Sequence, residues 1–275
     1  MGKIAYFYSD YIKSLAAGKI DLVDAGGSCV DANYSIGNLQ NEQIALRTWT
    51  DAKVAVKLQF ELSVAKALRG FFIGNHNFSG GTFDINSYTA NDYVTGKVTV
   101  EAAKAVRLLD VYHYESSAPA AQRWWEFDLT NVTSADSVFK IGRAMAYDGS
   151  NPVQITAKED YVLGRGYGFG NLINRTPYDI RWVHKLREKQ ERFEMGWNQR
   201  NISDAIHTEL RTLYETVYGD AHPFVFIPDI GYTPCYYGYI ENPELLYAEI
   251  FNIQTTGSHV GNLKLRFIEA VRGKI

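Results

Sequence analysis

Residues 54–63 read VAVKLQFELS, and their alternation decides the fold class. Val54, Val56, Leu58 and Phe60 fall on one side of an extended chain, while Ala55, Lys57, Gln59 and Glu61 fall on the other. A period of two with one wet side is the pattern of an antiparallel strand laid on a core. Outward from it, LRGFFIGN, GTFDINSY, VTGKVTVE, AVRLLDVYHYE, RWWEFDLTNV and VFKIGRAMAY repeat the theme. Turn residues separate them at Gly80-Gly81, Asn91-Asp92, Ala118-Pro119 and Ser134-Ala135-Asp136. Many short, evenly punctuated strands give a β-sandwich or jelly roll, not an alternating α/β sheet. The one short helical piece the first half allows lies around 64–68.

Between two of these strands, residues 71–85 read FFIGNHNFSGGTFDI. His76 sits between Asn75 and Asn77, a combination that suits a small active site, a metal site or a tight turn. A catalytic histidine needs a nucleophile or acid partner and an orienting group, and a zinc site needs at least three ligands. The six histidines (76, 113, 184, 207, 222 and 259) are scattered singly, with no HExxH or HxH spacing. The expectation is a turn tied by the two asparagines, with His76 packed at a strand end.

The other constellations give no catalytic set. GRGYGFG (164–170) fits neither GxGxxG nor GxxxxGK[ST], and reads as a surface loop or as an arm that orders against a neighbouring subunit. No GxSxG elbow is present. Trp124-Trp125 could form a sugar-stacking platform, but a strand sends one of the pair to each face, so one belongs to the core. Asp24, Asp31 and Asp84 lack the spacing of a calcium loop. No catalytic, cofactor-binding or metal residue is assigned, no cofactor is expected, and the chain reads as a non-enzyme.

Composition narrows the partners. The chain has 275 residues, a net charge of −3 and mixed charges throughout, so it carries no basic stripe of the kind nucleic acid demands. No run approaches the roughly 18 apolar residues of a membrane span. The start, MGKIAYFYSDYIKSLAAGKI, is interrupted by Asp10 and Lys13, so no signal peptide is expected, and the Asn-x-Ser/Thr triplets at Asn77, Asn131, Asn174 and Asn201 carry no weight. Cys29 and Cys235 are far apart and read as buried free thiols. Nineteen tyrosines suit half-buried strands and association surfaces.

A boundary falls near 147–152, where Gly149, Asn151 and Pro152 cluster. The expected domains are therefore a sandwich over 1–150 and a β domain over 151–275. In the second, a long strand is expected through YDIRWVHKLREKQERFEM (178–195). One helix, about 203–218, is capped by Asn201 or Ser203, stops at Gly219, and carries a stripe of Ile206, Leu210, Leu213 and Val217. PFVFIPD, CYYGYI, YAEIFNI and GNLKLRFIEAVRG supply further strands.

Several pieces in order resemble galactose-binding-like (discoidin-type) sandwich domains of tailed-bacteriophage structural proteins. They are Asn38-Leu39, Trp49, Asn75-His76-Asn77-Phe78-Ser79-Gly80, Trp124-Trp125 and Ile141-Gly142-Arg143. The second half resembles phage tail or tail-tip β domains by pattern alone. The resemblance implies a galactose-binding-like jelly roll followed by a tail-like β domain with one helix. It implies a non-enzymatic virion component of tail tip, baseplate or adaptor type, assembled in the host cytoplasm. The implied partners are copies of itself and other virion proteins, without nucleic acid or membrane insertion. The alternatives are a carbohydrate-binding module, with a host glycan as partner, or a capsid decoration or head-fibre protein.

Overall fold

The computed structural model describes residues 10–149 apart from 52–54, 107–109, 116, 135 and 137, and outside that range a set of strands and short segments. The chain is mostly β. It divides into two compact units, Ser9–Pro152 and Met1–Tyr8 with Val153–Lys274.

The first unit is a β-sandwich. Its strands are β1 (Ile20–Asp24), β2 (Gly27–Ser28), β3 (Thr48–Trp49), β4 (Lys57–Lys66), β5 (Gly70–Gly74), β6 (Phe78–Tyr88), β7 (Val98–Ala105), β8 (Asp110–Tyr114), β9 (Gln122–Asp128), β10 (Val132–Ser134), β11 (Lys140–Ile141) and β12 (Arg143–Tyr147). One sheet runs β10-β6-β9-β4-β1-β2, with β7 also paired to β6; the facing sheet runs β12-β5-β8, and β3 pairs with β11. All of these pairings are antiparallel.

The alternation of β4 holds in three dimensions. Val56, Leu58, Phe60 and Leu62 are buried, and Lys57, Gln59 and Glu61 lie half-buried on the outer face. Trp125 and Phe127 point inward from β9 and meet Phe71 of the other sheet, with ring centroids 5.6 and 5.7 Å apart. Removing a buried ring of this kind costs about 3–5 kcal/mol, so this inter-sheet contact is a major part of what holds the sandwich closed. The strand expected to break into a helix around 64–68 instead continues to Lys66.

The Asn-His-Asn turn follows its expected structural reading. Asn75 adopts φ +52°, a conformation asparagine tolerates, and its Nδ2 donates to the Ile44 carbonyl at 2.6 Å. Asn77 Nδ2 donates to the Val138 carbonyl at 2.9 Å, and its Oδ1 accepts from the Lys140 N–H at 2.9 Å. Gly81 has φ +91°, and a Cβ there would stand 2.1 Å from the Asn131 carbonyl oxygen, so only glycine fits.

The second unit corrects several expectations. Its sheet runs Ile155–Thr156, Lys3–Phe7, Phe224–Ile227, Tyr236–Ile240, Leu263–Glu269, Gln190–Trp197 and Tyr161–Gly168. The first eight residues therefore join this unit and not the sandwich, because Ala5, Tyr6 and Phe7 pair with Ile227, Phe226 and Val225. GRGYGFG is not a loop: it lies largely in the Tyr161–Gly168 strand, hydrogen-bonded along its length to Gln190–Trp197. The long strand expected over 178–195 is two strands, Arg181–Lys185 and Gln190–Trp197, with different partners. Helix is observed at 212–216, and Ile202–Ser203 is a short strand paired with Ser258–His259; Asn201 and the stretch 204–211, on which the expected cap depends, lie outside the described residues. Ile206 and Leu210 lie outside the described residues, while Leu213 and Val217 are buried as the stripe requires. Phe224, Phe226 and Phe267 supply this unit with its own aromatic core.

Candidate functional site

The outer face of the larger sheet carries two polar constellations, both built by the β4–β9 pair. In the first, alternation turns Glu126 outward, yet it is only 1% exposed. Its Oε1 accepts from the Tyr88 hydroxyl at 2.7 Å and from Asn86 Nδ2 at 3.3 Å, and its Oε2 accepts from Gln59 Nε2 at 2.7 Å. Lys57 Nζ stands 3.7 Å away. Burial, followed by the Glu126 hydrogen bond, pushes the Tyr88 hydroxyl far above its usual range. Glu126 is enclosed and holds three hydrogen bonds, so this network ties the sheet together and does not face a ligand.

The second constellation is open. Gln122 pairs with Lys66 and Trp124 with Glu61, so β4 spends five steps (66 − 61) where β9 spends two (124 − 122). The surplus arches away from the sheet and exposes Ser63, Val64 and Ala65. Opposite it, residues 11–19 form a second wall. That segment is closed by turns from Leu15 N–H to the Ile12 carbonyl and from Lys19 N–H to the Ala16 carbonyl, with Gly18 at φ +77°. The Glu61 N–H donates to the Lys19 carbonyl at 2.8 Å and joins wall to floor. Between the walls lies a groove of about 210 Å³, lined among others by Tyr11, Leu15, Lys19, Glu61, Val64, Lys66 and Arg123.

Charges organise the groove. Lys19 Nζ donates to Glu61 Oε2 at 2.7 Å, and Arg123 Nη2 donates to Glu61 Oε1 at 2.7 Å. The Lys19 hydrogen bond, with help from Arg123, holds the Glu61 carboxyl below its ordinary value. Lys66 Nζ lies 5.1 Å from the centre of the Tyr11 ring and 3.4 Å from Asp148 Oδ2, the oxygen that also accepts from the Tyr11 hydroxyl. The Tyr11 and Asp148 contacts raise the Lys66 ammonium. A carboxylate kept ionised between two cations is a poor proton shuttle.

Trp124 flanks the groove. It is half-buried on the outer face, with the Arg123 guanidinium 5.2 Å from its ring centre, whereas Trp125 is wholly core. The expectation that only one tryptophan is available thus holds, and a cation already sits over the available one.

The remaining sequence suspects fall elsewhere. His76 is buried, stacked on Phe78 at 4.4 Å, and its Nδ1 accepts from the Phe78 N–H at 3.3 Å. His113 is buried between Glu101 (3.5 Å) and Glu115 (3.7 Å), and burial lowers its tendency to protonate. The side chains of His184, His207 and His259 lie outside the described residues. Asp24 and Asp31 each accept a backbone N–H from two residues on, and Asp84 accepts the Ala103 N–H from the neighbouring strand. Among the described residues, no three His, Cys, Asp or Glu side chains gather to hold a metal. Cys29 is buried, and burial pushes its thiol up to about 12.

Neither protein-family models nor curated proteins match this chain. Solved structures similar to it include the CpGH89CBM32-6 module of Clostridium perfringens, at 14% identity over 51% of this chain and 100% of the other, with a TM-score of 0.38. A CBM32-1 module from a family 31 glycoside hydrolase of the same organism aligns at 10% identity over 50% and 99%, with a TM-score of 0.35. A Streptococcus pneumoniae fucose-binding module, SpX-3, aligns at 12% over 50% and 97%, with a TM-score of 0.34.

Proposed function

We propose that residues 9–152 form a carbohydrate-binding module that works without turnover. The observation that supports this is the groove. A sugar ring presents a fork of hydroxyls on its rim and an apolar C–H face. The groove offers Arg123, Glu61 and Lys19 as a hydrogen-bonding fork, with Tyr11, Leu15 and Val64 as apolar surface, in one small space. Its volume is below the roughly 300 Å³ at which drug-sized sites begin, which suits a short, weakly held glycan unit. A glycan array probed with the full chain should give signals that Arg123→Ala removes while the circular dichroism spectrum is kept. Silence of the folded chain across neutral and acidic glycans overturns the reading.

A second reading concerns the setting of this module, and is favoured by the ordered motifs from Asn38-Leu39 to Ile141-Gly142-Arg143. We propose that the chain is a tail tip, baseplate or adaptor component of a tailed-phage virion that associates with copies of itself and other virion proteins. Peptides of this chain should then appear in mass spectra of purified particles, and their absence from intact particles removes this setting without touching glycan binding.

A further inference from the structure

The groove's donors exceed its acceptors, and that imbalance defines the ligand. Three cationic side chains, Lys19, Lys66 and Arg123, line it, against the single carboxylate of Glu61. Both Glu61 oxygens are taken, Oε2 by Lys19 and Oε1 by Arg123, so two positive groups share one negative charge. Asp148 answers Lys66 only at 3.4 Å and also accepts the Tyr11 hydroxyl, so it is a divided partner. Counting both acids against the three cations leaves an excess of one positive charge. It also leaves ammonium and guanidinium hydrogens without acceptors of their own.

A neutral sugar brings no charge, so it leaves the excess positive charge standing. A carboxylate brings acceptors alone, and the charge-assisted bonds it makes are stronger than neutral ones. Lys19 and Arg123 stand on the Glu61 side of the groove and Lys66 beside Tyr11, so the one groove carries cations on both sides. Their side chains are accessible, at 47%, 43% and 37% relative exposure, so a ligand reaches them without opening the fold.

We infer that the groove selects acidic oligosaccharides, binding a uronic-acid carboxylate between Lys66 and the Lys19–Arg123 pair. This rests on the carbohydrate-binding reading and names the sugar class within it.

The test is calorimetric titration of the full chain with an oligogalacturonate and with a neutral galacto-oligosaccharide of equal length. The expected result is at least about tenfold tighter binding of the acidic sugar, the factor that one charge-assisted contact supplies. Lys66→Gln, outside the sugar-binding fork, should erase most of that preference while leaving the neutral sugar unchanged; Lys19→Gln should also erase the preference while weakening both sugars, and raising the salt should weaken mainly the acidic sugar. Equal affinity for the two sugars overturns the acidic selection and leaves the carbohydrate reading in place. A preference for the acidic sugar that survives both substitutions assigns it to another surface and overturns the groove. If neither sugar nor any other glycan binds the folded chain, the carbohydrate reading itself fails.

Discussion

Asn77 acts as a one-residue strand, with its amide donating to one neighbouring backbone group and accepting from another two residues further on. His76 beside it fills space against Phe78 and does no chemistry that its surroundings support. His76→Ala should therefore lower stability by about 2 kcal/mol, through lost packing and one lost hydrogen bond. Glycan binding should be unchanged; urea unfolding measured alongside the array signal checks both. The short motifs were readable because each residue has a job that few side chains can do. Leu39 is core, Asn38 Nδ2 bonds the Arg47 carbonyl at 2.8 Å, and Trp49 stacks on Tyr34 at 3.8 Å. Gly142 lies where a Cβ would stand 2.3 Å from the Ile44 carbonyl. These residues identify a fold and say little about a ligand.

Among the elements, β12 is anchored by its first residue. Arg143 is 1% exposed and pairs with Asp10, while its Nη1 donates to the Leu39 carbonyl at 3.3 Å. Asp10 in turn accepts the N–H groups of Ile12 and Ala146, so one ion pair ties the entry of the sandwich to its last strand. Arg143→Met leaves a buried carboxylate without its cation and should cost about 3–5 kcal/mol. The Arg143→Met/Asp10→Asn double variant should regain a good part of that loss, as a double-mutant cycle in urea will measure. The buried face of β4 followed from a period of two. The groove did not, because it arises from five steps of β4 set against two of β9, and no spacing along β4 announces that mismatch. GRGYGFG misled for a related reason: glycine is a poor strand former on its own, and pairing with Gln190–Trp197 overrides that preference.

At the scale of the molecule, each unit has its own core, and among the described residues the sandwich's hydrophobic cluster spans Ile12 to Ala146. A chain lacking residues 1–8 should keep the sandwich's unfolding transition and bind glycan within about twofold of the full chain. Its second unit, robbed of one strand of its sheet, should melt earlier. Differential scanning calorimetry, which resolves the two transitions, will show whether only one of them moves. The composition shift at 147–152 marked one crossing between the units. The other, near residue 8, was hidden because Lys3–Phe7 reads like any short apolar strand, and only its partner reveals its allegiance.

That first strand has a consequence for manufacture. Lys3–Phe7 leaves the ribosome well before its partner, for Val225, the residue opposite Phe7, is made only after the whole sandwich. The sandwich can close on itself as it emerges, while Lys3–Phe7 waits with its edges unpaired. An exposed edge held open for most of a translation cycle is an invitation to pair with a neighbouring nascent chain. Slow or crowded synthesis should therefore yield strand-exchanged oligomers through residues 3–7, whereas the sandwich within them is correctly built.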